Sequence, residues 1–368
     1  MKRCRIRMVV MLLLGFGLLS ALDAPAVRGD FTFGEPVNIQ SDFPFVNPAG
    51  EWIWCFSPDE LEVYACLYGD RPGGYGHYDI WVSKRSSVED QWGDPENLGP
   101  LVNGADMDIY PSLSPDGLEI YFSSRRPGGC GGVDLYVTRR ATRTSPWDAA
   151  INLGPKINSE YNDNVASMTP DGLELYILSD RASSPGPLDF YVCKRATRND
   201  PWGDPVDAGP AVNSPDNELA ASFSPDGLLM FFGSSRPGGV GPNGDGYVTR
   251  RASLSAPWQP AVNLGPIINT TAFNWPFISP DGSTLYILRQ PNNDGTNWIY
   301  RAPILPIVDF NADGAVDLVD LVMLIDNWGT NNTLYDIGPY AWGDGKVDIE
   351  DLEVFMTWYE KENPPAQP

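Results

Sequence analysis

The sequence predicts an all-β propeller of five four-stranded antiparallel blades, followed by a small α-helical domain. The first observation behind the propeller is a motif that occurs five times at a nearly constant interval. The second is a run of alternating apolar residues after each copy of that motif. A pair of similar acidic segments near the C-terminus predicts the helical domain. A chain of 368 residues is long enough for both.

The repeated motif is Ser or Thr followed by Pro and Asp. It begins at Ser57, Ser114, Thr169, Ser224 and Ser279, at intervals of 57, 55, 55 and 55 residues. Proline presets φ for a turn, and the glycine that follows Asp in four of the five copies suits a left-handed position. Such a constant interval indicates copies of one supersecondary unit, stacked or arranged radially.

Each copy predicts four short strands. The first ends at the repeated turn, and the second alternates apolar residues, as in the segment LEIYF. The third strands begin at aspartates that we interpret as turn caps, namely Asp79, Asp134, Asp189 and Asp245. The fourth strands begin at tryptophans that we interpret as packing residues, namely Trp92, Trp147, Trp202 and Trp258. Four antiparallel strands in about 50 residues are typical of a propeller blade.

The two ends of the repeat region predict how the ring closes. The fifth copy stops at 298–303 and has no strand led by tryptophan. The segment FGEPVNI at 33–39 matches WGDPENL at 92–98, with Phe33 in place of Trp92. We therefore expect the N-terminal strand to complete the last blade, which removes an exposed sheet edge. The predicted propeller spans residues 30–304.

These copies resemble the PD40, or TolB-like, family of WD40-like propeller repeats. The resemblance covers about residues 31–304 and is carried by the repeated turns, the Asp-led third strands, and the RPGG segments that begin at Arg71, Arg126 and Arg236. It implies the propeller fold. It implies no particular activity, because propellers host many unrelated functions.

Four of the five blades carry a carboxylate six residues before the repeated turn, near the expected mouth of the central channel. These ligand-binding candidates are Glu51, Asp108, Asp163 and Glu218, and the fifth position is Phe273. Such a ring could bind a ligand, or two of its members could hydrolyse a glycosidic bond. Alternatively, each carboxylate holds its blade through hydrogen bonds to backbone or arginine. Recurrence in successive blades favours this structural role, and no catalytic residue is assigned.

The segment DFNADGAVDLVD near the C-terminus has the spacing of a twelve-residue calcium loop. Calcium takes six to eight oxygen ligands, and an EF-type loop supplies them from alternating positions around a glycine turn, here Gly314. The predicted ligands of site 1 are Asp309, Asn311, Asp313, the carbonyl of Ala315, Asp317 and Asp320. The sequence therefore predicts Ca²⁺ as the cofactor.

A second copy at 343–355 aligns with 312–324, 31 residues earlier. Tyr340 and Trp342 occupy its first and third loop positions, so we expect Asp336 to reach the ion across a longer loop. The predicted ligands of site 2 are Asp336, Asp344, the carbonyl of Lys346, Asp348 and Asp351. An acidic loop without metal remains the alternative at both sites.

A short helix is predicted after each loop, with apolar residues at i, i+3, i+4 and i+7. These are Leu321, Leu324, Ile325 and Trp328, and then Leu352, Phe355, Met356 and Tyr359. So small a core is marginal by itself, and we expect calcium to help fold it.

Residues 305–361 resemble a type I dockerin. This resemblance implies a cohesin-like or other scaffold or surface protein as partner. The positions that the family uses for contact hold Leu318, Val319, Ile349 and Glu350, more apolar than the Ser/Thr pair of cellulosomal dockerins. Residues 362–368 are expected to be a disordered tail.

Residues 1–29 have the pattern of a secretory signal peptide, with basic residues before an apolar run and cleavage expected after Ala26 or Gly29. Its removal leaves 47 acidic and 20 basic residues, a net charge of −27. Such a surface disfavours nucleic acid and anionic lipid as partners. No segment is long enough to span a membrane. The expected location is secreted, periplasmic or associated with the cell surface, where disulfides among Cys55, Cys66, Cys130 and Cys193 are permitted.

These features predict an exported propeller that binds a polysaccharide or a surface protein and is attached to a partner by its calcium module. A glycoside hydrolase of polysaccharide catabolism, with propeller carboxylates as acid and base, is the first alternative. A structural surface repeat protein is the second. The single histidine, His77, disfavours a multi-histidine metal site, and no nucleophile elbow, phosphate loop or zinc signature occurs.

Overall fold

The computed structural model describes residues 31–181, 186–240, 244–270, 273–290 and 296–364. The predicted signal peptide and the last four residues of the predicted tail lie outside these ranges. The chain divides into two compact units, one spanning Thr32–Leu305 and one that contains the residues from Pro306 onward. In the described ranges we find no helix with the length and apolar character that a membrane span requires.

In its described residues, the first unit has 21 strands and one turn of 3-10 helix at Gln40–Asp42. The N-terminal strands are β1 (Phe31–Phe33) and β2 (Val37–Asn38). Blade one contains β3 (Trp52–Phe56), β4 (Glu62–Tyr68), β5 (Tyr78–Lys84) and β6 (Glu96–Asn97). Blade two contains β7 (Asp108–Leu113), β8 (Glu119–Ser124), β9 (Asp134–Arg139) and β10 (Ile151–Asn152). Blade three contains β11 (Asp163–Met168), β12 (Glu174–Ser179), β13 (Asp189–Lys194) and β14 (Val206–Asp207).

Blade four contains β15 (Glu218–Phe223), β16 (Leu229–Ser234), β17 (Asp245–Arg250) and β18 (Val262–Asn263). Blade five contains β19 (Phe273–Ile278), β20 (Thr284–Gln290) and β21 (Trp298–Pro306). Both N-terminal strands pair with β21, and the pairs Val37 with Arg301 and Asn38 with Tyr300 are antiparallel. The five-bladed propeller and its closure by the N-terminal segment are therefore confirmed.

The fourth strand of each blade starts later than the sequence predicts. β6 begins at Glu96, four residues after Trp92, and each of the next three outer strands shows the same offset. The tryptophans lie instead beneath arginine side chains. Arg140 lies 4.4 Å above the ring of Trp147, and Arg195 lies 4.2 Å above that of Trp202. Strand pairing begins only after the tryptophan, and each of these outer strands is two residues long.

The repeated turn is stabilised by its own polar side chains. In blade two, the Ser114 hydroxyl donates to Asp116 at 2.6 Å and accepts the Glu119 N–H at 2.8 Å. Asp116 also accepts the Leu118 N–H at 3.0 Å. Gly117 has a φ of 74°, the left-handed conformation that explains glycine in four copies. The motif thus forms a closed hydrogen-bonded turn.

Ion pairs link three successive pairs of blades. Arg140 of blade two donates to Glu62 of blade one at 3.0 Å, and Arg251 of blade four donates to Glu174 of blade three at 2.8 Å. Arg195 and Glu119 lie 3.6 Å apart at the intermediate interface. Between blades four and five, the aligned positions hold Leu229 and Ile304, both buried. This interface therefore has two apolar residues at the positions that hold an ion pair in the three preceding interfaces.

The second unit contains two helices, α1 (Leu318–Asp326) and α2 (Ile349–Glu362). Each begins with a capping box in which the N-cap aspartate accepts a backbone N–H of the first turn, while the third residue's carboxylate accepts the N-cap N–H. The predicted face residues Leu321, Leu324, Leu352 and Phe355 are buried in one core with Phe310, Ile337 and Val347. Trp328 is 37% exposed and contributes less than its periodicity predicts.

Candidate ligand and metal sites

The four predicted ligand carboxylates form buried ion pairs with arginines of their own blades. Each carboxylate residue is at most 1% exposed. The pairs are Glu51 with Arg71, Asp108 with Arg126, Asp163 with Arg181 and Glu218 with Arg236. The N···O distance is 2.5 Å in both the Asp108 and the Asp163 pairs. Charge-assisted hydrogen bonds between arginine and carboxylate are among the strongest in proteins.

Backbone groups complete each cluster. Gly104 donates its N–H to Asp108 at 2.6 Å, and Arg126 also donates to the Val102 carbonyl. The ion pair therefore ties the segment before the innermost strand to the segment after the second strand. This geometry supports the structural role that recurrence favours, while contact of the four carboxylates with a ligand stays a prediction.

Blade five builds the same cluster from a residue that sequence counting missed. Six positions before Ser279 lies Phe273, but Arg289 donates to Asn274 at 3.1 Å and to the Ile268 carbonyl at 2.6 Å. The innermost strands of the other four blades are interrupted by a register shift, whereas β19 pairs with β20 without one. A bulge adds a residue. The equivalent position in blade five is therefore one residue closer to the turn.

The opposite ends of the innermost strands surround a cavity of about 320 Å³. The prolines of the five repeated turns belong to its lining: Pro58, Pro115, Pro170, Pro225 and Pro280. The remaining lining is aromatic, aliphatic or hydroxyl-bearing, apart from the thiol of Cys55 and the thioether of Met168. None of the described residues that line it is Asp, Glu, Lys, Arg or His. This volume is at the lower end of the range for small-ligand pockets.

The cavity lining departs from the repeat. Blades one and five contribute Trp54 and Trp275, whose ring centroids lie 6.3 Å apart with an interplanar angle of 75°. Blades three and four contribute Ala166, Ala220 and Ala221 at the corresponding stretch. The two indoles therefore form an aromatic wall on one side of the cavity. The alanines of blades three and four leave the cavity its open volume.

Small polar groups line the cavity nearer the turns. Two residues before the repeated motif, the middle three blades carry Ser112, Ser167 and Ser222. Ser222 accepts the Ile278 N–H at 3.1 Å, a bond from blade four to blade five. Burial raises the pKa of Cys55, at the same position of blade one, to about 12, so its thiol is neutral at physiological pH. The cavity thus combines indoles with hydroxyls and carries no formal charge.

Two non-glycine residues on the innermost strands adopt the left-handed backbone conformation. Tyr110 has a φ of 57° and Ala220 a φ of 35°, both where register shifts interrupt the pairing. The Tyr110 N–H donates to the buried sulfur of Cys66 at 3.3 Å, and its ring lies 4.6 Å from that of Trp54. Such conformations cost about 1–3 kcal/mol each and cluster at functional sites.

Among the predicted ligands of site 1, Asp309, Asp313 and Asp320 accept hydrogen bonds from their own loop. Asp309 accepts the Gly314 N–H at 3.0 Å, and Asp313 accepts the Ala315 N–H at 2.9 Å. The buried Asp320 accepts the Phe310 N–H at 2.8 Å and the Asp317 N–H at 3.0 Å. Gly314, with a φ of 91°, makes the turn that lets the loop fold back.

In the second loop, Asp336 reaches the turn that the sequence predicts. It accepts the N–H groups of Asp344 at 2.9 Å and Gly345 at 2.7 Å. Asp351 is buried and accepts the Ile337 N–H at 2.5 Å, while the Lys346 ammonium lies 3.2 Å from Asp348. Burial raises the pKa of Asp336 to about 6 and also raises the pKa values of Asp320 and Asp351.

The donor chemistry of both loops fits a hard cation, because every predicted ligand atom is a carboxylate, amide or carbonyl oxygen. Residues 306–368 contain 13 acidic residues, two lysines and no arginine. Over the ranges that the structure describes, no three carboxylate, thiol or imidazole residues meet in a preformed metal cluster. A cation would therefore draw carboxylates together from the positions they occupy here.

The predicted partner positions lie on the surface. Leu318 is 60% exposed, and Val319 and Ile349 are each 42% exposed, all in the first turns of α1 and α2. Elsewhere, Cys55, Cys66, Cys130 and Cys193 are all free thiols, so none of the permitted disulfides is present.

The cavity was missed by sequence reasoning, which followed the residues that recur. The signal lay in residues that do not recur. At the third or fourth position before the repeated turn, near-identical copies carry Trp54, Pro111, Ala166, Ala221 and Trp275. A position that varies within an internal repeat is free of the constraints shared by all blades.

No family model matches the sequence, and no curated protein matches it. Similar solved structures include a protein assigned as TolB from Agrobacterium tumefaciens, at 15% identity over 76% of this chain and 100% of that one, with a TM-score of 0.42. An α-L-arabinofuranosidase from Podospora anserina is 14% identical over 75% of this chain and 96% of that one, with a TM-score of 0.44. Another from Lactobacillus brevis is 14% identical over 74% and 96%, with a TM-score of 0.44. The fold assignment rests on the strand topology described above, and these values transfer no function.

Proposed function

We propose that this chain is an exported recognition protein. Its propeller binds a polysaccharide or a surface protein, and its C-terminal module binds Ca²⁺ and attaches the protein to a scaffold or surface partner, cohesin-like or otherwise. Recognition is favoured over catalysis because the four inner carboxylates form ion pairs with arginines.

Glycoside hydrolysis requires two carboxyl groups with different tasks. One must hold a proton for the leaving oxygen, and the other must be free to attack the sugar or activate water. Glu51, Asp108, Asp163 and Glu218 are instead buried and bound by arginine. The cavity at the other end offers no carboxylate among its described lining residues. This arrangement supports binding without bond cleavage.

Calcium binding is supported by carboxylates that are buried without an arginine. Asp320, Asp336 and Asp351 are each at most 1% exposed, and each accepts backbone N–H groups. Site 1 would hold the ion through Asp309, Asn311, Asp313, Ala315, Asp317 and Asp320, and site 2 through Asp336, Asp344, Lys346, Asp348 and Asp351. When bound, Ca²⁺ supplies positive charge. The loops then hold the first turns of α1 and α2 in place.

Attachment to a protein partner is supported by the exposed apolar residues at those first turns. Leu318, Val319 and Ile349 are exposed and do not belong to the core of this small unit. Burial of such side chains is a main source of binding free energy between proteins.

The test uses the full mature chain in calcium buffer with a panel of soluble polysaccharides. We would measure retardation in affinity gels and, in parallel, release of reducing ends. Retardation without release is the expected result. Release that disappears in Asp108→Asn or Asp163→Asn would identify a glycosidase and contradict the proposal.

A further inference from the structure

We infer that the cavity at the Ser/Thr-Pro-Asp ends of the innermost strands binds an uncharged sugar unit of a glycan, held against the indoles of Trp54 and Trp275. This inference rests on the proposed recognition function. It places the ligand at the opposite end of the innermost strands from Glu51, Asp108, Asp163 and Glu218.

The described residues of the cavity lining offer no charge that would hold an ionic ligand. The chain carries a net charge of −23, yet no ionisable Asp, Glu, Lys, Arg or His side chain is found among the described residues of the cavity lining. The aspartates of the five turns accept hydrogen bonds from their own turns, as Asp116 does from Ser114 and Leu118. An anionic ligand would meet no cation here, and burying it unpaired would be costly. The lining therefore selects an uncharged ligand.

The cavity lining combines flat aromatic faces with hydroxyl groups. A pyranose or furanose ring has a face of C–H groups and an edge of hydroxyls. The indoles of Trp54 and Trp275, at 75° to each other, offer one wall for the C–H face and a second beside it. Ser112, Ser167 and Ser222 place hydroxyls on the other blades. An apolar peptide side chain would match the indoles but leave these hydroxyls without a polar partner in the ligand.

The residues around the cavity depart from the repeat of the blades. Five near-identical blades would give a symmetric lining, but tryptophan stands on blades one and five and alanine on blades three and four. Tyr110, packed against Trp54, and Ala220, a residue of the lining, hold strained left-handed conformations at bulges. Bulges beside binding sites re-aim side chains, and strain persists only where the surroundings impose it. Both deviations occur around the same cavity.

Size sets what part of a glycan can enter. A cavity of about 320 Å³, with the five turn prolines among its lining, is small for a ligand pocket. It suits a chain end or a side branch of about one or two sugar rings rather than the middle of a long chain. The site would thus recognise terminal or branching units.

The experiment uses the full mature chain with calcium and isothermal titration calorimetry. The probes are neutral cello-, xylo-, manno- and arabino-oligosaccharides, an anionic oligogalacturonide, and a proline-rich peptide. Trp54→Ala and Trp275→Ala each remove one wall. Ser167→Phe fills the cavity with a phenyl ring. Blade five already carries a phenylalanine, Phe277, at this position of the repeat. Trp328→Ala, in the other unit, is the matched control, and Trp54→Phe tests whether loss of binding follows loss of the aromatic wall rather than loss of folding.

We expect at least one neutral oligosaccharide to bind. Its Kd should rise about tenfold or more in Trp54→Ala and Trp275→Ala, as expected for losing an aromatic contact. Binding should disappear in Ser167→Phe, stay unchanged in Trp328→Ala and be largely kept in Trp54→Phe. Binding that no cavity variant alters would overturn the site while leaving the recognition function in place. Binding of only the oligogalacturonide or the peptide, or of no probe, would overturn the sugar assignment. Release of reducing ends would contradict the recognition function. If that release were lost in Trp54→Ala, the assignment of the sugar site to this cavity would still be supported.

Discussion

The four inner carboxylates of the propeller and the loop carboxylates of the C-terminal unit are buried in different ways. In the propeller, Asp108 is paired with Arg126 at 2.5 Å, and Asp163 is paired with Arg181 at the same distance. In the C-terminal unit, Asp320 and Asp351 are equally buried, but the hydrogen bonds they accept come from backbone N–H groups. Residues 306–368 contain no arginine at all.

The difference shows where each unit obtains its compensating charge. In these four pairs an arginine of the same blade supplies the opposing charge. At Glu218 burial still raises the pKa to about 7. Backbone dipoles reduce but do not cancel the desolvation of a carboxylate, and burial accordingly raises the pKa values of Asp320 and Asp351. This difference in the source of compensating charge is the physical basis for the calcium proposal.

Removal of calcium should have the largest effect and should act on one unit only. A ligand present at about 1,000 times its Kd stabilises the folded state by about 4 kcal/mol, which is comparable with the whole stability of so small a unit. We expect EGTA to unfold α1 and α2 and to leave the propeller transition in place, as followed by calorimetry and far-UV circular dichroism. Identical transitions with calcium and with EGTA would remove the distinction between the two units.

Breaking one propeller pair should cost nearly as much. Arg126→Met leaves Asp108 buried and unpaired, and such changes destabilise proteins by about 3–5 kcal/mol. The double variant Arg126→Met with Asp108→Asn should recover a large part of this loss, because the uncompensated charge is gone. Chemical denaturation with and without calcium would measure both.

The control for this prediction is an arginine at the surface. Arg301 and Asp42 lie 4.0 Å apart and are about half exposed, so Arg301→Met should cost less than about 1 kcal/mol. If Arg126→Met is as mild as Arg301→Met, the buried pairs are not what completes the blades.

Substitution of a predicted ligand should have an intermediate effect and should distinguish the two loops. Asp320→Asn keeps an acceptor for the Phe310 N–H but removes a charged oxygen, and we expect calcium affinity at site 1 to fall about tenfold or more. Titration calorimetry should then resolve one weakened and one unchanged site. A single site in the unaltered protein would contradict the assignment of the second loop.

The smallest effect should come from an exposed carboxylate that has an arginine. The hydrogen bond from Arg143, at 2.8 Å, holds the pKa of Asp59 at about 2. A depressed folded-state pKa adds stability above the unfolded value, near 4, and this stability is lost as the pH falls toward 2. Because both side chains are about 40% exposed, Asp59→Asn should cost at most about 1 kcal/mol at pH 7. The difference from the unaltered protein should vanish at about pH 2, and a difference that persists there would show a contribution other than charge.

Much of the fold could be predicted because the same constraints recur. The turn at Ser114 needs proline, aspartate and a left-handed glycine in every blade, so its five copies mark the blades. The match between 33–39 and 92–98 predicted the closing strand for the same reason. The outer strands were placed four residues early because Trp92 lies beneath Arg85 before strand pairing begins, and the pattern of apolar residues does not reveal this side-chain contact.

What the sequence by itself determined is the number of blades, their closure and the two acidic loops, because each depends on local hydrogen bonding repeated at a constant interval. Only the tertiary structure decided which carboxylates have arginine partners, since Asp108 and Arg126 meet through the pairing of two strands. It also decided that Asn274, not Phe273, occupies the fifth position, because a bulge is set by packing around the channel. The cavity between Trp54 and Trp275 was likewise decided by the tertiary structure. It lies among five strands that are far apart in the chain, and only closure of the ring brings them together.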